Sequence, residues 1–216
     1  MITISQSLEQ SIATTPYLEE ALSKGLINLS ALARSLKPGL QKKLYKRNIS
    51  EASLVMALKR LEPKLRKKIA NSRFSLKADN ITVRSNIIEI TLQNSPEVDI
   101  IRKAIAKLTL SDRDAFFSLI QGVRESTFVV SRNLASIIEK YGANKIIEKI
   151  DNLSSISIFL PPENRKQPGI YYTLLKILAW HNINLVEVIS NYNELTLVFE
   201  NGVVDQAFSL LKSLSV

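Results

Sequence analysis

The residues best suited to chemistry form a short turn, QPGI at positions 167–170, that follows a predicted strand and opens an amphipathic helix. A glycine at a strand-to-helix turn, here Gly169, lets a ligand or another backbone approach closely. The helix that follows presents free N–H groups and the positive end of its dipole. Such a turn suits the binding of a small carboxylate. The alternative is that Pro168 and Gly169 only make the turn.

Sequence patterns for catalysis and metal binding are absent. The chain has no cysteine, and it has no glycine-rich nucleotide loop, no histidine-rich metal spacing and no nucleophile elbow. The single histidine, His181, ends the helix of that turn on its apolar side, which predicts a partly buried helix cap and not a base. We therefore predict a protein that is not an enzyme and that carries no cofactor or metal.

Positive charge is concentrated at one end of the chain. Residues 1–79 hold 15 of the 29 Lys and Arg side chains and only 6 of the 20 acidic ones, whereas residues 80–216 hold 14 of each. The whole net charge of +9 therefore lies in the first third. This split predicts an anionic partner for the first third and a different task for the rest.

The first third has the pattern of helices separated by short breaks. Asn28 and Ser50 are predicted N-caps of two helices. The first of these is predicted to end at Pro38 and Gly39, and Pro63 is predicted to kink or divide the second. Leucines at intervals of four, three and four predict one buried stripe on the second helix. These are Leu54, Leu58, Leu61 and Leu65.

Basic side chains among these helices suit contact with nucleic-acid phosphates. A helix-turn-helix, with strands near RFSLKADNITVRS as a wing, is one interpretation. Two observations oppose it. More residues separate the two helices than the roughly 3–4 that form the turn of that motif. The second helix begins EAS, without the Asn, Gln or Arg side chains that read bases. The alternative is a head that docks an acidic protein or an enzyme. The candidate contacts are Lys42, Lys43, Lys46, Arg47, Lys59, Arg60 and Lys64.

From about residue 76 the pattern changes to strands and then repeats. The order strand, helix, strand, strand, helix occurs in 76–151 and again in 152–216. This is the ferredoxin-like order, so the predicted fold class is α+β, with a helical head at 1–75. Ser85 and Asn86 predict a turn within the first strand region. The second copy lacks a final strand, which either KIIEKI or ITVRS would supply by pairing across the copies.

The second copy resembles an ACT domain, a module that senses small ligands and is attached to many enzymes and regulators of amino-acid metabolism. The resemblance lies in QPGI at 167–170 and NINL at 182–185. It implies an amino acid bound at the turn, against an adjacent module. The segment ENR at 163–165 also resembles the polar loop of serine-sensing members, although two further residues lengthen it. The implied ligand contacts are Asn164, Gln167, Gly169, Ile170 and Asn184.

The two copies together resemble the regulatory half of aspartokinases, without a kinase half. The first copy has SPEVDI in place of the Pro-Gly turn, which predicts a partner module without its own ligand. We predict an amino-acid-responsive regulator, with DNA binding through the head, or else an interaction protein that dimerises without a ligand. The resemblance implies a homodimer. The N-terminus lacks a signal-peptide pattern and no apolar run reaches about 18 residues, so we expect a cytoplasmic protein without a membrane partner.

Overall fold

The chain divides into two compact units, Met1–Arg73 and Phe74–Val216, which we call the head and the tail. A computed structural model describes residues 3–15, 17–45, 48–70, 81–110, 112, 114–160 and 169–214. No helix within these ranges is long and apolar enough to cross a membrane.

Within its described residues the head is helical. Its helices are α1 (Ile4–Ala13), α2 (Leu18–Ser23), α3 (Leu29–Leu44) and α4 (Glu51–Ala70). Both predicted N-caps are confirmed: the Oδ1 of Asn28 accepts from two backbone N–H groups at 3.0 Å, and the Oγ of Ser50 accepts from that of Ser53 at 3.2 Å. The leucine stripe of α4 is buried as predicted, together with Leu8, Ile12, Leu22 and Leu40. Helix α1 was not predicted.

The predicted end of α3 at Pro38 and Gly39 is wrong, because the helix continues through both residues. Pro63 does not divide α4, which also continues through it, and a kink there stays a prediction. A proline inside a helix removes the hydrogen bond to the carbonyl four residues earlier. Both of those carbonyls belong to exposed residues, Arg34 and Lys59, so water can hydrogen-bond to them. The apolar residues on the opposite sides keep both helices packed across the proline.

The tail is an α+β unit with a single antiparallel sheet. Its elements follow the predicted order twice. The first copy contains β1 (Ile81–Gln93), α5 (Pro96–Thr109), β2 (Phe117–Gln121), β3 (Glu125–Ser131) and α6 (Ala135–Gly142). The second contains β4 (Ile146–Phe159), α7 (Ile170–Trp180), β5 (Glu187–Ser190), β6 (Glu194–Glu200) and α8 (Val204–Lys212).

The six strands are ordered β2-β3-β1-β4-β6-β5, with the long strands β1 and β4 at the centre. The first half of β1 lies beside the second half of β4, with Ile81 opposite Ile158. The second half of β1 lies beside the first half of β4, with Leu92 opposite Ile146. The second module therefore takes its missing strand from ITVRS, at the start of the first copy. KIIEKI does not have this role, because it pairs with the second half of β1 and so completes the sheet of the first module.

The predicted turn at Ser85 and Asn86 is not a break in the strand. Asn86 has a φ of 58°, and the register between β1 and β4 shifts between Arg84 and Ile87. This is a bulge, which lets one strand continue while its side chains change phase. The predicted wing is not formed by ITVRS either, since that segment begins β1; residues 71–80 lie outside the described ranges.

The two faces of the sheet are packed differently. The four tail helices pack on one face, in two clusters that include Ile105 with Phe128 and Leu174 with Phe199. The opposite face, which we call the inner face, has its own buried cluster of Ile87, Val129, Leu153 and Val198. No helix belongs to this cluster.

Candidate ligand-binding site

The predicted turn is described from Gly169 onwards. Gly169 has a φ of 89°, the left-handed conformation that glycine adopts most easily, and a Cβ placed on it would meet nothing within 4 Å. Its carbonyl accepts hydrogen bonds from the N–H and the Oγ1 of Thr173, at 3.0 and 2.9 Å. The backbone conformation therefore favours a glycine, and no atom of the described residues fills the space beside it at the start of α7.

Ile170 follows as the first residue of α7, and its side chain is buried in the core of the second module. It cannot place that side chain against a ligand at the turn. What it can offer is its backbone N–H, which lies in the first turn of the helix, where N–H groups have no partner within the helix. The predicted role of Ile170 in binding is thus limited to its main chain.

Asn184 lies beyond the other end of α7. Asn182 ends the helix in a left-handed conformation, with a φ of 54°, and the N–H of Ile183 donates to the carbonyl of Leu178 at 3.1 Å. Asn184 then follows with an exposed side chain. The 11 residues of α7 separate it from Gly169 by about 16 Å, at about 1.5 Å per residue. Within one chain, the two residues do not form one site.

Two other predicted ligand contacts, Asn164 and Gln167, lie outside the described residues, as do Lys46 and Arg47 of the predicted phosphate contacts. The remaining basic candidates are all exposed. Two of them make polar contacts inside the head: the Nζ of Lys43 donates to the Oε1 of Gln10 at 3.1 Å, and the Nε of Arg60 donates to the carbonyl of Met56 at 3.3 Å. The others are Lys42, Lys59 and Lys64.

His181, at the end of α7, lies differently from the prediction. It is exposed and not partly buried, although its Nδ1 lies 2.7 Å from the carbonyl of Ile177, as a cap would. On α7 itself, Tyr171, Tyr172 and Trp180 are each about half or more exposed within one copy of the chain. The buried stripe of α7 is narrow, and these residues lie to either side of it.

One buried acid was missed by the sequence prediction. Glu89 of β1 points to the inner face, is only 9% exposed, and its Oε2 has no hydrogen-bond partner within the described ranges. Burial raises its pKa from 4.5 to about 7, and the negative charges of Glu187 and Glu148 add to that rise. The available signal was the acid itself, in an apolar strand, NIIEITL. No group of three or more metal-binding side chains occurs in the described part of the chain.

No protein-family model matches the sequence, and no curated protein matches it either. Several solved structures are similar in fold. The aspartate kinase of Clostridium acetobutylicum is 17% identical with a TM-score of 0.50, over 63% of this chain and 34% of that one. The regulatory subunit of the Thermus thermophilus aspartate kinase, in ligand-free form, is 14% identical with a TM-score of 0.48, over 62% and 95%.

A further structure, of aspartokinase α and β subunits, is 15% identical with a TM-score of 0.49, over 62% of this chain and 96% of that chain. The matched region is about a third of the Clostridium enzyme. At 17% identity, the likeness to the Clostridium enzyme shows a shared fold alone.

Proposed function

We propose that this protein senses a small carboxylate ligand, an amino acid, and acts through it as a regulator without catalysing a reaction. The observation that carries the proposal is the turn at Gly169, where a left-handed glycine has no atom of the described residues within 4 Å of its Cβ position, beside the N-terminus of α7. Backbone N–H groups there suit a carboxylate. The fold likeness to an aspartate kinase that is described as an allosteric enzyme supports the regulatory part.

In the proposed site the carboxylate lies against Gly169 and the N–H of Ile170, with Asn164 and Gln167 as the polar side chains of the same loop. Asn184 is about 16 Å away along α7, so it contacts a ligand only from an adjacent copy of the chain. The proposal therefore includes a homodimer in which the turn of one copy faces Asn184 of the other. A ligand bound there affects the partner only if it binds one arrangement of the copies better than another.

The test is thermal unfolding of the full chain with each of the twenty amino acids. A ligand at 100 times its Kd stabilises the native state by about 2.7 kcal/mol. One amino acid should raise the Tm of the wild type, and Asn184→Ala should remove the rise. Gln206→Ala is the matched control, because Gln206 is an exposed amide on α8, away from the turn in sequence. If no amino acid raises the Tm, the proposal is wrong.

A second candidate function concerns the head alone, which we propose binds a polyanion such as DNA. The outer side of α4, opposite its leucine stripe, carries Lys59, Arg60 and Lys67. Carboxylates neutralise some neighbouring cations, since Arg66 pairs with Glu62 at 2.9 Å. Among the described residues no such ion pair is formed by Lys59, Lys64 or Lys67. An unpaired cationic face of this kind supports phosphate binding.

The test is anisotropy of a labelled DNA duplex as a function of salt. Each phosphate contact contributes about 0.9 to the slope of log K against log salt concentration. Lys59→Gln should weaken binding and lower that slope, whereas Lys103→Gln, an exposed lysine of α5, should leave both unchanged. Equal effects of the two variants, or no binding at physiological salt, would favour docking of an acidic protein instead.

A further inference from the structure

A cavity of about 450 Å³ lies on the inner face of the tail sheet. Ser118 of β2 and Ile189 of β5, from the two strands at opposite edges of the sheet, both line it. The sheet is therefore curled enough to bring its edges to one cavity. The cavity joins the two modules, because β2 belongs to the first and β5 to the second.

Opposite charges face this cavity. Arg84 of β1 and Glu194 of β6 are both among its lining residues and both are partly buried. Neither forms an ion pair within the described ranges, although exposed pairs elsewhere in the tail do, such as Arg102 with Asp99 at 3.0 Å. A cation and an anion that face one cavity without neutralising each other suit a ligand with both charges. An α-amino acid is such a ligand.

From these two observations we propose that the inner-face cavity is a second amino-acid site. Arg84 binds the carboxylate and Glu194 binds the ammonium group. The cavity volume is within the roughly 300–1,000 Å³ of small-ligand pockets. Phe116 and Ile189 also line the cavity, beside its polar residues, and can contact the side chain of the ligand.

This site is distinct from the turn at Gly169. It lies on the inner face of the sheet, whereas α7, which follows that turn, packs on the other. It shares with the proposed function only the class of ligand. A ligand here would hold the edges of the curled sheet together, so its binding would stiffen the tail as one body.

The probe is L-leucine, tested against the full chain by isothermal titration calorimetry together with two analogues that each keep one charge, 4-methylpentanoate and isopentylamine. Leucine should bind at least tenfold more tightly than either analogue. Arg84→Gln should weaken leucine binding at least tenfold. Glu194→Gln should make leucine no better than 4-methylpentanoate. Arg102→Gln is the control, since Arg102 is an exposed arginine on α5.

Ser118→Leu provides an independent check, because it fills the cavity from β2 without removing a charge. It should abolish leucine binding while the circular dichroism spectrum stays that of the wild type. Lack of leucine binding to the wild type, or equal binding of leucine and 4-methylpentanoate, would overturn the cavity site. Leucine binding that survives Arg84→Gln and disappears in Asn184→Ala would overturn it too, and would leave the Gly169 turn as the site. Binding lost in Arg84→Gln and kept in Asn184→Ala would support the cavity alone.

Discussion

The raised pKa of Glu89 predicts that the stability of the tail depends measurably on pH. Its carboxyl is buried on the inner face without a hydrogen bond to its Oε2 in the described part of the chain, and its pKa rises from 4.5 to about 7. An acid with a raised pKa is protonated in the folded state at a pH where the unfolded chain has already lost the proton. Below about pH 4.5 the two states bind the proton equally. As the pH rises from there to about 7, folding becomes less favourable.

The size of this loss follows from the shift. One pKa unit corresponds to about 1.36 kcal/mol, and the ionised carboxylate can relax toward solvent, so the expected penalty at pH 8 is about 1–3 kcal/mol. Glu89→Gln removes the ionisation and leaves a side chain of the same shape. The variant should be more stable than the wild type by that amount at pH 8 and equally stable, within about 0.5 kcal/mol, at pH 4.5.

The assay is urea unfolding of the full chain at both pH values, followed by the fluorescence of Trp180. Trp180 is the single tryptophan of the sequence and lies in the tail, so it reports on the unit that contains Glu89. Glu125→Gln, at an exposed position of β3, controls for the loss of one negative charge. A stability difference between Glu89→Gln and the wild type that is the same at both pH values would refute the reasoning.

Two further substitutions have matched controls. Gly169→Ala should lower the stability of the tail by about 1 kcal/mol, because alanine is strained at a φ of 89°. Gly202→Ala is the control and should change the stability little, because Gly202 has open space beside it and no positive φ. Urea unfolding followed by Trp180 fluorescence compares the two variants. Leu58→Ala should destabilise the head by about 2–5 kcal/mol, since Leu58 is fully buried. Met56 is 56% exposed, so the control Met56→Ala should destabilise the head by less than about 1 kcal/mol. Unfolding of both variants is followed by circular dichroism. If either control matched its partner, the reasoning from backbone conformation or burial would be wrong.

Local patterns predicted local structure well. The four leucines of the α4 stripe, from Leu54 to Leu65, follow the helical period and are buried. Asn28 and Ser50 cap helices because their side chains reach the free N–H groups of the first turn. Pro38 misled the prediction, since the sequence does not show that the carbonyl it leaves free belongs to an exposed residue. The order of strands and helices in the tail was predictable because each element carries its own period.

Features that depend on register or on distance were not predictable. The pairing of the first half of β1 with the second copy depends on the shift at Asn86, and nothing in ITVRSNIIEITL distinguishes a bulge from a turn. The candidate residues Gly169 and Asn184 came as one set from the resemblance, and the length of α7 separates them. The cavity with Arg84 and Glu194 joins residues more than 100 positions apart, so only the folded sheet brings them together.

The first half of β1 makes the sheet of the second copy depend on the first copy. A fragment of residues 76–151 would carry the half of β1 that completes the other copy, and a fragment of 152–216 would lack it. Each fragment would expose an unpaired strand edge, which favours aggregation or pairing with another chain. Mixed together, the fragments should recover the native sheet by complementation.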